Sequence, residues 1–346
     1  MLNPKIKKFI KIILGLLFLM VILLLLVLFQ SRRPQDLEVI FLDIKAGDSI
    51  FIKTPDHQKI LIDGGMDKSV LNKLGENFSF WDRKIDLMIL THPHLDHVTG
   101  LVDVLKHYKV KQIFYNGVSF SEPTYSEWLK IIKEKNIPIQ IVTTGQKTEL
   151  GKDLKLITLW PSQDFLHLNF CKECGTKSNL NDSSLVNKLI YKNTSFLFAG
   201  DLEWKGEEKI LSQLNDICGK LYMSNIDNLS GPASPKRGES TRIVPHLLEK
   251  GAGRKNAELE CLRADVLKVG HHGSISSSTQ EFLKAVQPKW AVIFTREDGK
   301  NTKVNLPHPR VLKRLERMKI KIFRIDQSGD VRMRSDGEKI IIDTEG

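Results

Sequence analysis

The chain has 346 residues, 41% of them hydrophobic, enough to bury one large globular core or two smaller ones. Its formal net charge is +11, but Lys5, Lys7, Lys8, Lys11, Arg32 and Arg33 all lie in the first 35 residues, with no acid among them. The body that follows is only mildly basic, which excludes assigning a nucleic-acid role from charge alone.

Residues 12–29, IILGLLFLMVILLLLVLF, separate those two basic clusters without a single polar side chain. At ~1.5 Å per residue a helix of this length reaches roughly 27 Å, enough to cross the core of a bilayer. A cleaved signal peptide would have a shorter apolar stretch and small residues before the cut, whereas the exit here reads VLFQSRRP. The expectation is a basic segment and transmembrane anchor over residues 1–35. Four lysines before the span and two arginines after it put the N-terminus in the cytoplasm. Residues 36–346 would then be the extracytoplasmic body of a single-pass protein of the cell membrane.

After the anchor, DLEVIFLDI, DSIFIKT and HQKILIDGG are short strands separated by turn-rich KAGD and TPD, an antiparallel meander. KIDLMILTH is an apolar strand that ends in the run THPHLDHVTG. GLVDVLKHY is an amphipathic helix with Leu101, Val104, Leu105 and Tyr108 on one side. VKQIFYN is a strand and YSEWLKIIKEKN a helix, and IQIVTT, LKLITLW, SSLVNKLIY and SFLFAGD are strands. His167 falls in an irregular stretch before Cys171. WKGEEKILSQL is a helix, and residues 231–263, rich in Gly, Pro and charge, read as a surface insertion. ADVLKVGHHGS is a strand running into a loop, STQEFLKAVQ a helix, WAVIFT a strand and HPRVLKRLERM a helix. IKIFRID and DVRMRSD close the chain. Strands that lead, with helices interleaved later, suggest two sheets packed together with helices outside.

Of the four cysteines, Cys171 and Cys174 form a C-x-x-C, read as a surface pair or local disulfide rather than a zinc knuckle, because Cys218 and Cys261 supply no second C-x-x-C.

THPHLDHVTG concentrates three of ten histidines and an aspartate within six residues. Packing gives no reason for this, since histidine is a poor core residue and a buried unpaired carboxylate is costly. Imidazoles and a carboxylate together suit Zn²⁺, Mn²⁺ or Fe. Two further strand ends carry matching groups: Asp201 after FLFAG, and His271 and His272 after VLKVG. The margin just past a buried strand is where a site usually gathers its residues.

These residues carry a resemblance. THPHLDH matches the H-x-H-x-D-H signature of the metallo-β-lactamase superfamily, and LIDGG, AGD and GHHGS look like its other motifs. FLDIKAGDSIFI, NDSSLV, LFAGDLE, LKVGHHGS, NLPHP and the closing SDGE are similar to the metallo-β-lactamase domain of ComEC-type competence proteins, over roughly residues 37–340. The resemblance implies an αββα sandwich of four layers with a metal site at one edge, preceded here by the one transmembrane helix. It implies one or two divalent ions, zinc first and manganese as the alternative. His92 and His94 would hold one ion. Asp96, His97 and one of His271 and His272 would hold the other, and Asp201 would bridge. The second histidine of the 271–272 pair suits a substrate phosphate. Asp63 would orient a ligand from behind, and Asp96, His271, His272 and His308 would serve catalysis.

Two departures qualify the resemblance. A further histidine expected before the bridging aspartate is replaced by NDSS, Asn181 to Ser184, as in the competence-like branch. Lys45-Ala46 stands where that branch has Gly-Gln.

A bridged metal pair activates water and clamps an attacked oxygen. Both a phosphodiester and a β-lactam fit that geometry, so the surroundings must choose. In a helix after His308, Arg310, Lys313, Arg314 and Arg317 share one face, and Val311, Leu315 and Met318 take the other. That basic stripe suits a polyanion, although a solvated helix face reads the same way, and His308 reads equally as a helix-start residue.

The expectation is a membrane-anchored, metal-dependent phosphodiesterase or nuclease acting on DNA, in DNA uptake beside a separate channel chain. The alternatives are a non-catalytic tethered DNA-binding module and a hydrolase of a cell-envelope phosphoester.

Overall fold

The computed structural model of the protein describes residues 4–31, 36–79, 81–170, 179–214, 218, 261–295 and 306–345. Residues 1–35 and 36–346 form two separate compact units. In the first, α1 runs Pro4–Ser31. Side chains of residues 24–31 lie outside the described ones, and among the described residues no helix is long and apolar enough to cross a membrane.

The second unit opens with β1 (Leu37–Phe41), β2 (Ile50–Lys53) and β3 (Lys59–Ile62), an antiparallel meander. After α2 (Ser69–Asn77) come the short β4 (Lys84–Ile85) and β5 (Leu87–Ile89). The chain continues through α3 (Leu95–His107), β6 (Lys109–Val110), β7 (Ile113–Tyr115), α4 (Pro123–Glu134) and β8 (Ile139–Ile141). Strands β9 (Lys147–Gly151) and β10 (Leu154–Trp160) then begin a second sheet. It is followed by α5 (Gln163–Phe170), β11 (Val186–Tyr191), β12 (Thr194–Phe198) and α6 (Trp204–Ser212). Past the insertion lie β13 (Val266–Lys268), α7 (Gln280–Val286), β14 (Trp290–Ile293), α8 (Pro309–Arg317) and β15 (Lys321–Arg324). A short α9 (Ile325–Ser328) and the hairpin β16 (Val331–Ser335) and β17 (Ile340–Thr344) complete the unit.

Among the described residues, one sheet has the order β17-β16-β1-β2-β3-β5-β7-β8 and the other β15-β14-β13-β12-β11-β10-β9. Strand alternation explains the layers. On β1, Val39 and Phe41 face the second sheet, while Ile40 packs outward with α2, α3 and α4. Phe41 is fully buried between the sheets, with ring centroids 6.4 Å from Phe198 and 6.1 Å from Phe294. On the second sheet, Leu197, Leu267 and Ala291 face outward onto α6, α7 and α8. The order helix, sheet, sheet, helix is a four-layer sandwich.

Several readings of the sequence change. His167 lies in α5 rather than in an irregular stretch. Ser162 Oγ accepts the Phe165 amide at 3.2 Å, and Phe165 packs 4.4 Å from Trp160, so the segment has both a cap and an apolar anchor. The strand expected from Ser183 begins at Val186, because Leu180–Ser183 forms a tight 3₁₀ turn. IKIFRID is a strand only to Arg324, where α9 takes over. Helix α2, which buries Val70 and Leu74 on one face, and strands β9 and β17 were not read from the sequence. Residues 219–260 of the insertion region lie outside the described residues, as do Cys171 and Cys174. The expected insertion ends too late, since Leu262 is fully buried in the core and belongs to the body. Cys218 and Cys261, which carried no pairing from spacing, are joined by a disulfide.

Candidate metal centre

Five chain segments deliver the site, each from the carboxyl end of a strand or its connection. β3 and β5 are parallel neighbours and lead into Asp63 and His92. β12 and β13 are parallel neighbours in the other sheet and lead into Asp201 and His272. Asp48 comes from the turn between β1 and β2. The two sheets are tied at this edge by Leu185 N donating to Thr91 O at 3.0 Å, and by Asn116 Nδ2 donating to Ser183 O at 2.8 Å.

The histidine run is a strand-to-helix turn. His94 holds extended backbone as the residue before α3, and Asp96 and His97 occupy its first turn, both buried. The helix lies against the loop after β3 without any side chain between them. A Cβ on Gly100 would lie 1.9 Å from Gly64 O, so only glycine permits this approach. Gly64 N donates to His97 O at 2.9 Å and Gly100 N to Gly65 O at 3.0 Å, which locks α3 in register with Asp63.

The second histidine pair is set by backbone rather than by strand alternation. His271 and His272 both take positive φ, 45° and 52°, inside a tight turn over Gly270–Gly273. Such conformations cost of order 1–3 kcal/mol each and persist where the surroundings over-determine them. The result is a division of labour: His272 points inward and is fully buried, while the His271 side chain is 25% exposed at the rim.

Asp96, His97, Asp201 and His272 present ligand atoms that all lie within 4.8 Å of one another. Asp201 Oδ2 is 3.3 Å from His97 Nε2 and 3.4 Å from His272 Nε2, and Asp96 Oδ2 is 3.4 Å from His272 Nε2. Yet His97 Nε2 and His272 Nε2 are buried without a hydrogen-bond partner. Bonds of ~2.0–2.1 Å from a tetrahedral Zn²⁺ to N and O ligands give ligand-to-ligand edges of about 3.3–3.4 Å. The spacing and the orphaned nitrogens therefore fit one divalent ion held by these four groups.

An acid lies behind each imidazole in that set, hydrogen-bonded to it at His97 and only adjacent to it at His272. His97 Nδ1 is 2.8 Å from Asp63 Oδ2, and Asp63 in turn accepts Thr91 N at 2.8 Å and Thr91 Oγ1 at 2.7 Å. His272 Nδ1 is 3.4 Å from Asp48 Oδ1. Carboxylates behind metal-binding histidines fix the ring and raise its basicity.

His92 and His94 form a separate pair, with His92 Nε2 3.0 Å from His94 Nδ1. The other nitrogen of His92 is held by Thr91 Oγ1 at 3.1 Å and Ser184 Oγ at 3.3 Å. Among the described residues, no His, Cys, Asp or Glu completes a group of three with this pair. Ser184 also accepts Asp201 N at 3.0 Å, so it braces both halves of the site.

The electrostatics ask for positive charge. Burial disfavours charged imidazole at His97, yet Asp201 and Asp63 raise it well above the ordinary value. His272 is likewise opposed by burial but pushed up to about 9 by Asp201, Asp96 and Asp48. Asp201 is held well below the carboxylate range, against burial, by His272, His97 and Lys268. His92 and His94 shift the other way, lowered by burial and by His97, which favours their neutral form.

The remaining expected site residues lie around this group. His271 Nδ1 meets Glu203 Oε1 at 2.9 Å, and Asn181 Nδ2 donates to the same oxygen at 2.9 Å. His271 is thus kept out of the buried group. The His308 side chain accepts Arg310 N at 3.1 Å as a helix cap, while its backbone N donates to Gly273 O at 2.9 Å. It adjoins the histidine turn without entering the group. Arg310, Lys313 and Arg317 are exposed along α8 and line one cleft with Arg314, Met318 and Gln280. Arg314 shares that face but is half-buried and also tied inward, donating to Ser277 O at 3.1 Å and to Ser278 O.

Lys268, Asp48 and Glu203 were missed as site residues. Lys268 carried a usable signal: it is the single charge in ADVLKVG after the strand begins, and a buried parallel strand has no solvent face for it.

Residues 42–295 match the family model of the metallo-beta-lactamase superfamily. Among curated proteins, the chain is 30% identical over 315 residues to ComE operon protein 3 of Bacillus subtilis (strain 168), covering 86% of this chain and 33% of that protein. It is 23% identical over 313 residues to competence protein ComA of Neisseria gonorrhoeae, covering 88% and 34%. The chain thus spans about a third of the length of these two relatives. Among solved structures, the metallo-beta-lactamase fold protein YhfI from Bacillus subtilis covers 83% of this chain and 95% of its own at 10% identity, with a TM-score of 0.43. The chain belongs to the metallo-beta-lactamase superfamily and is similar to ComEC-type competence proteins.

Proposed function

We propose that the chain is a metal-dependent phosphodiesterase acting on DNA, anchored in a membrane by residues 12–29 and serving DNA uptake. The observation that carries the catalytic part is the buried group of Asp96, His97, Asp201 and His272, with two orphaned imidazole nitrogens aimed at its centre. Asp201 would be the shared ligand toward His92 and His94. A bound divalent ion, zinc or manganese, supplies an acidified water and stabilises charge on the attacked phosphoryl oxygen.

The chain's own residues do the rest. His271, oriented by Glu203 and open at the rim, hydrogen-bonds a non-bridging phosphate oxygen. Arg310, Lys313 and Arg317 draw the strand toward the His308 end of α8. Burial of the acids keeps water away from the group and strengthens its field. The likeness to ComEC-type competence proteins, together with the exposed cations of α8, is what favours a polyanionic diester such as DNA. The anchor rests on the 18-residue apolar run within α1.

The test uses the full chain in detergent with Zn²⁺ or Mn²⁺, assayed for nucleotide release from single-stranded DNA with and without chelator. Chelator-sensitive release supports the proposal. DNA binding without turnover points to a tethered binding module, and turnover of a small diester without DNA affinity points to an envelope phosphoester.

A further inference from the structure

Lys268 closes β13, and its side chain is 1% exposed. Its strand neighbour Leu267 faces the outer helices, whereas Lys268 turns to the space between the sheets, where Val266 also points. A buried ammonium is expensive unless each of its three N–H groups finds an acceptor. Here all three do: Gly200 O at 2.5 Å, Asp201 Oδ1 at 3.4 Å and the Oδ2 of Asp48.

The consequence lies in what this leaves over. Each carboxylate has one oxygen on the lysine and one free for the histidines. Asp201 turns Oδ2 to His97 and His272, and Asp48 turns Oδ1 to the back of the His272 ring at 3.4 Å. One ammonium therefore orients an acid inside the buried group and holds a second acid, Asp48, behind an imidazole of the same group, with Asp48 Oδ1 and His272 Nδ1 3.4 Å apart and not hydrogen-bonded.

We propose that Lys268, acting with Asp48, is the positioning residue of the metal centre: it makes Asp201 a one-oxygen ligand and aims His272 Nε2 inward. This rests on the reading that Asp96, His97, Asp201 and His272 hold a divalent ion. A lysine that only balanced charge would act in the opposite sense. Removing its positive charge from beside two carboxylates would tighten binding of a dication, removing Asp48 would loosen it, and removing both would restore it. Positioning predicts that all three changes loosen it.

The experiment titrates Co²⁺ into the metal-free full chain and into Lys268→Met, Asp48→Asn and the double variant, following visible absorption and free ion by dialysis. Circular dichroism checks the fold of each. The expected result is affinity about 10- to 100-fold weaker in every variant, the range typical of residues behind metal ligands, with an altered Co²⁺ spectrum. Unchanged or tighter binding by Lys268→Met, or wild-type affinity in the double variant, overturns the proposal. Should Lys268→Met fail to fold, the double variant decides alone, because it removes both partners of the buried pair. Failure of the unaltered chain to bind Co²⁺ refutes the metal reading itself and is thereby separated from failure of the role given to Lys268.

Discussion

Asp63 and His97, 34 positions apart in sequence, meet through Oδ2 and Nδ1 at 2.8 Å, both fully out of solvent. The contact depends on Asp63 holding a positive φ of 58° just past β3, and on α3 lying directly on the next residue, Gly64. Asparagine tolerates that backbone. Asp63→Asn should keep the fold but remove the charge behind His97, weakening Zn²⁺ binding by about 10- to 100-fold in equilibrium dialysis.

Asp201→Ala should be more severe. It removes the oxygen shared by His97 and His272 and leaves Lys268 short of an acceptor. Metal content measured on the purified protein should fall, and diester turnover with it by at least about 100-fold. Binding of DNA, measured by fluorescence anisotropy, should persist, because the exposed cations of α8 are untouched.

Gly100→Ala tests how α3 is seated. The added Cβ would meet Gly64 O at 1.9 Å, so helix and loop must separate. Overpacking of this kind costs about 1–3 kcal/mol, to be read from urea unfolding. The displaced Asp96 and His97 should also weaken metal binding.

Glu207 is a buried carboxylate that accepts Thr279 N at 2.8 Å and Thr279 Oγ1 at 2.6 Å on one oxygen and Ser278 N at 2.5 Å on the other. It ties α6 to the loop after the histidine turn. Glu207→Ala leaves two amides unsatisfied and should cost roughly 2–6 kcal/mol, at about 1–3 kcal/mol for each group left unpaired. Thermal unfolding would measure it.

The cations of α8 divide into two kinds. Arg310→Ala with Arg317→Ala should weaken single-stranded DNA binding and lower the slope of log affinity against log salt by about 1.4, at ~0.7 per phosphate contact. Arg314→Ala should leave that slope unchanged and lower stability instead, since Arg314 holds Ser277 O and Ser278 O. An equal loss of slope in both would show that Arg314 is free to meet DNA.

The chemistry of this protein was legible in its residues because metal ligation needs particular side chains, and three imidazoles and an acid packed into THPHLDH have no use in a core. The alternation of LEVIF and the meander around it were legible for the same local reason: each strand shows its buried face in its own pattern. Distances along the chain could not say which histidine of the pair turns inward. That was decided by two consecutive positive φ angles, held by a turn whose surroundings come from elsewhere in the fold. Nor could they show that Arg314 also holds Ser277 O, or that Lys268 turns its charge to Asp48 and Asp201, because a side chain's partner is fixed by where other segments arrive. Ligand type is a property of single residues. Their grouping is a property of their meeting, and strand ends from two sheets arriving at one edge are what bring these acids and imidazoles together.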